Sequence, residues 1–599
     1  MKTNLLALKL FNSVLAQDTE AKDTFVSKFG VFIPSQAVYA KYEILNHLRN
    51  LKLSGQDLNK TFYKSWAKVQ NSDRLELFID QILHYMSTYG TNFEGEVYIP
   101  DQVLDVPDLK ITVYTIGAMT ADTLIEKSLD VLRSGIALKE ETLGCIFDLL
   151  ESLDYSFTGK EGVRNKEALV MMADLFNIYP ESPEEFLRYA VYKATNSTSL
   201  VKSDEVKNEI NSSRIDVSDL FKQYGRTKLS TIFNRFKPLF LAFKQANPNN
   251  RSVINKIAKL SKENHKPMVS NPLNQVTYMV LGDNDLHWLE NATNFALFKA
   301  LSACYARMNG QDSFVYRVRN GRSWTKENTS NIEVCEKNFK TIMKFLKERI
   351  NGEGKTVFIP SDVVYALPTS EKMFVGNIPT GTKFLGEKLA AGMYWEDSWG
   401  ARDLDLSGLN IAGKVGWNAS FYDYGNRLTY SGDETSAPNG AVEYLYATNG
   451  VEDNPTLAMM NVYSGSSDAG YKIIIGKGDN VNYNYMMNPN NVMVDVKTEC
   501  VQKQMILGMF IPEDNNLTSF VLLNFGAGSA NVSGNNHVSK IATKALYQQW
   551  KNALTLNTVL EEVGFTIVDE NTEKNEGLTI DFNLEVDKLT KSTFVDLFS

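Results

Sequence analysis

The hydrophobic period of the chain changes near residue 355, and this change constrains the fold more than any other feature. Before it, apolar residues recur at the three- and four-residue spacing of amphipathic helices, as in 121–135. After it, short alternating apolar runs are separated by Gly, Asn, Asp and Pro, which is typical of antiparallel strands. The sequence therefore predicts a multidomain α+β protein, with a mainly α-helical region over 1–354 and an antiparallel β-sandwich over 355–537. A helix ending near Gly564 and an acidic, strand-like tail are predicted over 538–599.

The helical region carries its own start and stop signals. The run Ser182-Pro183-Glu184-Glu185 predicts a capping box with proline at the first helical position. In this box the Ser182 hydroxyl accepts a hydrogen bond from the backbone N–H of Glu185, and the Glu185 carboxylate accepts one from the backbone N–H of Ser182. Helices of roughly 12 to 18 residues joined by short loops predict antiparallel hairpins stacked as an irregular HEAT-like array. Short strand insertions are predicted near 30–34 and 95–117.

A ten-residue segment occurs twice, at 31–40 and 357–366, with eight identical positions. A looser copy occupies 97–103. Each copy predicts a strand that ends at a proline, because proline cannot donate to a ladder, followed by a polar turn. Two explanations stay open: chance similarity of strand composition, or related strand–turn units that mark where the helical region packs on its neighbour.

Composition excludes several classes of protein. The chain of 599 residues is 43% apolar and 22% charged, so wholesale disorder is excluded. Its four cysteines are far apart and form no CxxC pair, which argues against a zinc module and favours a reducing compartment such as the cytoplasm. No apolar run approaches the roughly 20 residues of a bilayer span, so we expect none. No catalytic constellation stands out, and we expect no enzyme.

Two short acidic motifs are candidates for metal ligation. In the run Asp403-Leu404-Asp405-Leu406 the leucines alternate inward, and both carboxylates emerge on one face about 6.5–7 Å apart. Asp433, after a glycine, puts another carboxylate in a turn. Hard oxygen ligands that converge from two loops are what calcium requires. Ordinary turn acids on a solvated strand face are the alternative at this point.

These motifs keep a characteristic order. The aspartate strand is followed by Phe421-Tyr422, by the Ser-Gly-Asp turn of Asp433, and by the acidic strand start at Glu443. In this order, residues 385–480 resemble the TerD domain of bacterial tellurium-resistance and stress proteins. The resemblance covers about a sixth of the chain and leaves the N-terminal region unassigned.

The resemblance implies a β-sandwich that binds calcium through loop carboxylates and acts as a non-catalytic stress or scaffold module. Carried over motif by motif, the implied metal ligands are Asp403, Asp405, Asp433 and Glu443. The chain departs from the family pattern in two places: Ser407 stands where the family usually has another acid, and 435–440 is nearly neutral where the family has an acid-rich loop.

A basic segment stands out against the overall charge of −9. Between residues 221 and 267 there are eleven Lys or Arg residues and one acid, a net charge of +10. Its aromatic residues sit at helical spacing, which favours a core over base-stacking platforms. The cations could contact nucleic-acid phosphates or an acidic protein, or pair with acids elsewhere or face solvent. The candidate contact residues are Lys222, Arg226, Lys228, Arg235, Lys237, Lys244, Arg251, Lys256, Lys259 and Lys262.

The sequence as a whole predicts a non-enzymatic binding or scaffold protein of the bacterial or phage stress-and-defence type, calcium-dependent through the TerD-like domain. Protein partners are expected. One alternative is an RNA-binding helical-repeat protein that uses the basic segment, and another is a structural component of a phage virion.

Overall fold

The structure is a computed structural model in which side chains are placed. It describes residues 2–26, 30–61, 76, 79, 114–311, 313–317, 323–327, 331–411, 413–417, 419, 428–447, 455–478, 487–514, 516–529, 536–572 and 579–598. By its contacts the chain divides into two units: unit 1 comprises 3–119 and 276–598, and unit 2 comprises 120–275. The predicted domain boundaries at 354 and 537 rest on changes in hydrophobic periodicity along the sequence rather than on contacts, and they stay predictions.

Helices occur in both units. Within the described residues they are α1 (Lys2–Phe11), α2 (Lys41–Leu51), α3 (Ala121–Arg133), α4 (Glu140–Ser152), α5 (Lys166–Phe176), α6 (Pro183–Thr195), α7 (Asp204–Ser213), α8 (Ser218–Tyr224), α9 (Arg226–Ser230), α10 (Lys237–Ala246), α11 (Asn250–Asn264), α12 (Leu286–Asn291), α13 (Asn294–Met308), α14 (Ile332–Arg349), α15 (Asn536–Lys551), α16 (Leu556–Glu562) and α17 (Thr593–Leu597).

Strands are confined to unit 1. Within the described residues they are β1 (Ser13–Leu15), β2 (Thr24–Val26), β3 (Val31–Ile33), β4 (Tyr114–Thr115), β5 (Gly117–Met119), β6 (Ser313–Arg317), β7 (Ser323–Glu327), β8 (Thr356–Phe358), β9 (Val363–Val364), β10 (Phe374–Val375), β11 (Ile378–Pro379), β12 (Lys383–Gly386), β13 (Leu389–Trp395), β14 (Ala401–Leu409), β15 (Lys414–Gly416), β16 (Leu428–Tyr430), β17 (Ala441–Ala447), β18 (Thr456–Gly465), β19 (Gly470–Lys477), β20 (Val492–Glu499), β21 (Gln504–Pro512), β22 (Thr518–Gly528), β23 (Thr566–Val568) and β24 (Phe582–Asn583).

The predicted α+β class is confirmed. The N-terminal region is helical, antiparallel sheets follow it, and a helix returns at α15. The HEAT-like array and the TerD-like character of the sheets stay predictions. None of the helices that the structure describes is long and apolar enough to cross a membrane.

Local signals set the helix ends in unit 2. The side chains of Thr120, Asn165 and Ser203 each accept the backbone N–H three residues on, and so begin α3, α5 and α7. The predicted capping box of α6 is wrong, although that helix begins at Pro183 as expected: the Ser182 hydroxyl accepts no backbone N–H. Glu185 instead accepts from Nε of Arg188 at 2.8 Å, because a guanidinium one turn away offers a charged donor.

The large sheets form two layers in unit 1. A seven-stranded sheet runs β15-β14-β18-β21-β22-β12-β9, and a five-stranded sheet runs β16-β17-β13-β19-β20. They pack face to face: a methyl group on Gly408 of β14 would contact Leu428 and Leu445 of the other sheet. Helix α15 covers the outer face of the seven-stranded sheet, where Leu546 joins an apolar cluster with Leu409 and others.

The five-stranded sheet is covered by an N-terminal segment, residues 51–61. Nζ of Lys472 donates to the Leu51 carbonyl at 2.5 Å, and the Asp495 carboxylate accepts a backbone N–H of the segment at 2.7 Å. Lys472 and Asp495 are themselves ion-paired at 3.0 Å, with side chains 3% and 10% exposed. The hydroxyl of Tyr444 donates to a third backbone group of the segment. This segment and the sandwich therefore form one packed structure.

The two near-repeats share one turn hydrogen bond and then differ: the first continues as a 3-10 helix (Ser35–Ala40) and the second as strand β9. In one, the Ala37 amide donates to the Pro34 carbonyl at 2.8 Å, and in the other, Val363 donates to Pro360 at 3.0 Å. Both copies begin on a strand with a parallel neighbour, β3 beside β4 and β8 beside β23 and β24. One shared turn hydrogen bond does not separate related units from chance, and both explanations stay open. Whether they mark a packing site of the helical region stays a prediction, and the looser copy lies outside the described residues.

The other local predictions have mixed outcomes. A strand is confirmed at 31–33, whereas the predicted insertion at 95–117 is described only from residue 114, where β4 and β5 lie. The single helix predicted before Gly564 is wrong: it is two helices, because Thr555 caps a new one, α16.

Candidate metal centre

Strand β14 places two of the predicted ligands. Leu404 and Leu406 are fully buried, as the alternation predicts, but Asp403 and Asp405 are also buried, at 3% and 2% exposure. A solvated strand face is therefore wrong for these aspartates. The pairing of β14 with β18 is irregular on both sides of Asp403, and irregular pairing of this kind re-aims side chains.

The third predicted ligand lies in the segment between β16 and β17. Gly432 there has a φ of 110°, which a residue with a side chain rarely adopts, and the turn brings in Asp433 at 1% exposure. One carboxylate oxygen from each of Asp403, Asp405 and Asp433 lies within 4.8 Å of the others. We call these three residues the acidic triad. The structure thus brings together three of the four predicted ligands, from two separate elements.

Glu443, the fourth predicted ligand, is fully buried beside the triad but is engaged differently. Its two oxygens accept backbone N–H groups, from Leu406 of β14 at 2.8 Å and from Glu434 at 2.9 Å. Glu443 therefore ties the edge of β14 to the segment that carries Asp433. Its carboxylate therefore holds the two segments that carry the triad and is not one of the three clustered carboxylates.

Burial and repulsion between neighbouring carboxylates raise the pKa values of the acids at this site. Burial first, and then the charges of Asp403 and Asp433, raise the pKa of Asp405 to about 9. Burial also raises the pKa of Glu443 well above its usual range, against the hydrogen bonds from Glu434 and Tyr430. A single lysine opposes this accumulation of acids: Lys414 on β15 lowers the pKa of Asp405, and its own pKa falls to about 8 through burial.

The carboxyl group of Asp405 is not fully satisfied by the part of the chain that the structure describes. Oδ2 of Asp405 is buried and accepts no hydrogen bond there, and the same is true of the Ser407 hydroxyl two residues along the strand. Leaving a buried polar atom without a partner is costly. A cation bound between the triad carboxylates would satisfy the aspartate oxygen.

Sequence reasoning missed two neighbours of the triad. Asn461 on β18 lies directly opposite Asp405 and is fully buried, which places its amide beside that carboxylate. A single polar residue inside the apolar run 457–462 was the available signal. Lys414 carried no signal, because it lies in a short strand whose register the sequence does not set.

The remaining sequence candidates lie elsewhere or outside the description. Phe421-Tyr422 lies outside the described residues. The ten basic contact candidates all lie in unit 2, from α8 to α11, whereas the triad lies in unit 1. A cleft of about 280 Å³ in unit 1 is lined by the segments around Ser361 and Asp569, and its described lining holds no histidine or cysteine. The triad is therefore the best-supported site for chemistry.

Comparisons with known proteins add no assignment. No protein-family model matches the chain, and no curated protein matches its sequence significantly.

Proposed function

We propose that this is a non-enzymatic binding protein whose β-sandwich holds a calcium ion between β14 and the segment that carries Asp433. The observation that carries the proposal is the acidic triad: three buried carboxylates whose oxygens lie within 4.8 Å of one another. Ionised carboxylates at that separation repel each other strongly in a buried site, and a bound divalent cation reverses the sign of this interaction.

The donor set favours calcium over other common ions. The triad offers up to six carboxylate oxygens, and calcium takes about six to eight oxygen ligands in flexible geometry. Magnesium usually retains several waters and demands near-ideal octahedral geometry, which a buried cluster of side chains suits poorly. Zinc prefers histidine and cysteine, which are absent from the described triad.

The resemblance of residues 385–480 to TerD domains supports a stress or scaffold role for such a site. Bound calcium would fasten β14 to the 431–435 segment, so that cation occupancy sets the shape of one end of the sandwich. We place the protein in the cytoplasm, which the four free thiols support.

Isothermal titration of the full chain, freed of metal with EDTA and dialysed, tests the proposal. We expect one calcium site, and we expect Asp403→Asn and Asp433→Asn each to weaken binding at least tenfold. Asp514→Asn, in an exposed turn between β21 and β22, is the matched control and should bind as the wild type does. Absence of heat with calcium in the wild type, or equal binding by all variants, would refute the proposal.

Calcium binding should also release protons. Because the pKa of Asp405 is about 9 without metal, its carboxyl is protonated at pH 7 and must ionise to ligate. Titrations in PIPES and in Tris, buffers that differ in ionisation enthalpy and bind calcium only weakly, should show release of about one proton at pH 7. Calcium affinity should accordingly rise with pH up to about 9. An affinity that does not change with pH would contradict the proposed ligation by Asp405.

A further inference from the structure

The basic segment forms a folded surface in unit 2. Its four helices α8–α11 pack on a core to which all six aromatic residues of the segment contribute, each less than a tenth exposed: Phe221, Tyr224, Phe233, Phe236, Phe240 and Phe243. These rings are therefore not available to stack on bases. Binding at this surface has to use its charges.

Helix α11 shows how the charges are arranged. At 100° per residue, Arg251, Lys262 and Lys259 fall within an arc of about 80°, and Lys256 lies about 60° further round. All four are exposed. The buried residues of the helix, among them Ile257, occupy the opposite side. From Arg251 to Lys262 the cations extend roughly 16 Å along the axis, the rise of about five nucleotides of one strand.

Helices α9 and α10, which pack against α11, carry further cations. Lys237 and Lys244 lie on α10 on the side away from its buried residues, and Arg226 and Lys228 lie on α9. Asn250 holds α11 in place: its fully buried amide donates to the Phe243 carbonyl at 2.8 Å and accepts the Val217 amide at 2.8 Å. The cations are thus presented by a fixed scaffold.

Most of these cations form no ion pair within the described residues. Lys222 pairs with Asp219 and Arg235 pairs with Glu184, whereas the other eight candidates pair with no acid there. Glu263 is the one acid of the segment and it also forms no ion pair in the described chain. Pairing with acids elsewhere, one of the alternatives for these cations, thus holds for two of the ten, and the solvated face stays open for the other eight.

We propose that the surface formed by α9, α10 and α11 binds the phosphate backbone of a nucleic acid without regard to base sequence. The composition of the surface favours this partner over an acidic protein. Protein interfaces are centred on exposed aromatic and apolar residues and are depleted in lysine. Here lysines predominate, and Leu241 is the one large apolar residue that is exposed within 218–264, all of which the structure describes.

Fluorescence anisotropy of the full chain with labelled oligonucleotides tests this. The probes are a 20-nucleotide single-stranded RNA and a 20-base-pair DNA duplex, titrated in EDTA between 50 and 200 mM KCl. If all eight cations engage the single strand, log K should fall against log salt with a slope of about −5.6, at roughly 0.7 per phosphate. The two probes separate single-strand from duplex binding, and two unrelated base sequences should bind equally.

The matched variants locate the surface. The triple variant Lys256→Gln, Lys259→Gln and Lys262→Gln should reduce the slope by about 2, because three phosphate contacts are lost. Its control neutralises Lys340, Lys344 and Lys347, three exposed lysines on α14 of unit 1, and should bind as the wild type does. Glutamine keeps helix propensity close to that of lysine, so circular dichroism should be unchanged.

Three outcomes would overturn the proposal. They are no binding of either probe at 50 mM KCl, equal loss of binding in the triple variant and its control, and equally tight binding of polyglutamate, which would indicate an acidic protein partner. Because EDTA is present throughout, the result does not depend on the proposed calcium site.

Discussion

Replacement of Asp405 by asparagine should change how the stability of the metal-free protein depends on pH. The folded protein raises the pKa of this carboxyl to about 9, from 3.8 as its ordinary value. Between these two values the unfolded chain releases a proton that the folded chain keeps. Stability is therefore lost as pH rises from about 4 to about 9, at close to 1.4 kcal/mol per pH unit for one proton.

Asp405→Asn removes this titration and keeps the shape of the side chain. From pH 5 to pH 8 the wild type should thus lose about 4 kcal/mol more unfolding free energy than the variant does. Calcium at a hundred times the wild-type dissociation constant should stabilise the wild type by about 2.7 kcal/mol, and should stabilise a variant that binds at least tenfold more weakly by no more than about 1.4 kcal/mol.

Urea unfolding in EDTA, followed by tryptophan fluorescence, measures the difference. All seven tryptophans lie within 3–119 and 276–598, so the signal reports on the unit that holds the triad. The exposed-turn variant Asp514→Asn should retain the wild-type slope. Parallel pH profiles for the wild type and Asp405→Asn would refute the reasoning, because they would mean that Asp405 is ionised in the folded protein.

Three further substitutions probe packing and burial. Gly392→Ala should lower the unfolding free energy by about 1–3 kcal/mol and weaken calcium binding, because a methyl group there would overlap the backbone of β17; Gly413→Ala, with open space around it, should do neither. Lys472→Met should lower the unfolding free energy by about 3–5 kcal/mol in the same urea assay, because it leaves the Asp495 carboxylate without its cation. A loss below 0.5 kcal/mol would contradict a stabilising ion pair. Cys145→Ser should abolish the fast phase of thiol modification by DTNB at pH 8. Cys145 is only half-buried, whereas burial raises the pKa of the Cys500 thiol to about 12 and so disfavours its reactive thiolate. A fast phase that survives the substitution would show that another thiol is accessible.

Local periodicity was enough to predict the fold class. The switch from helical spacing to strand alternation near residue 355 reflects which faces of each element meet the core, and this is encoded within a few residues. The capping box predicted at Ser182 did not form, because Arg188, one turn along the same helix, takes the carboxylate that the motif required.

The candidate site could be predicted only in part. The residue types and their order pointed to Asp403, Asp405 and Asp433, but their burial depends on a contact between β14 and the 431–435 segment. That contact is fixed by Glu443, whose carboxylate reaches two backbone amides on separate elements. Pairings of this kind depend on long-range register, which local patterns do not carry.

The packing of residues 51–61 on the five-stranded sheet has a consequence for biosynthesis. Leu51 and its partner Lys472 are separated by 421 positions, so at 5–20 residues per second the ribosome needs roughly 20 to 80 s to supply the second after the first. Throughout that interval the emerging segment lacks the strands that protect it. Nascent chains arrested before position 472 should therefore be cut by protease within 51–61, and completed chains should resist.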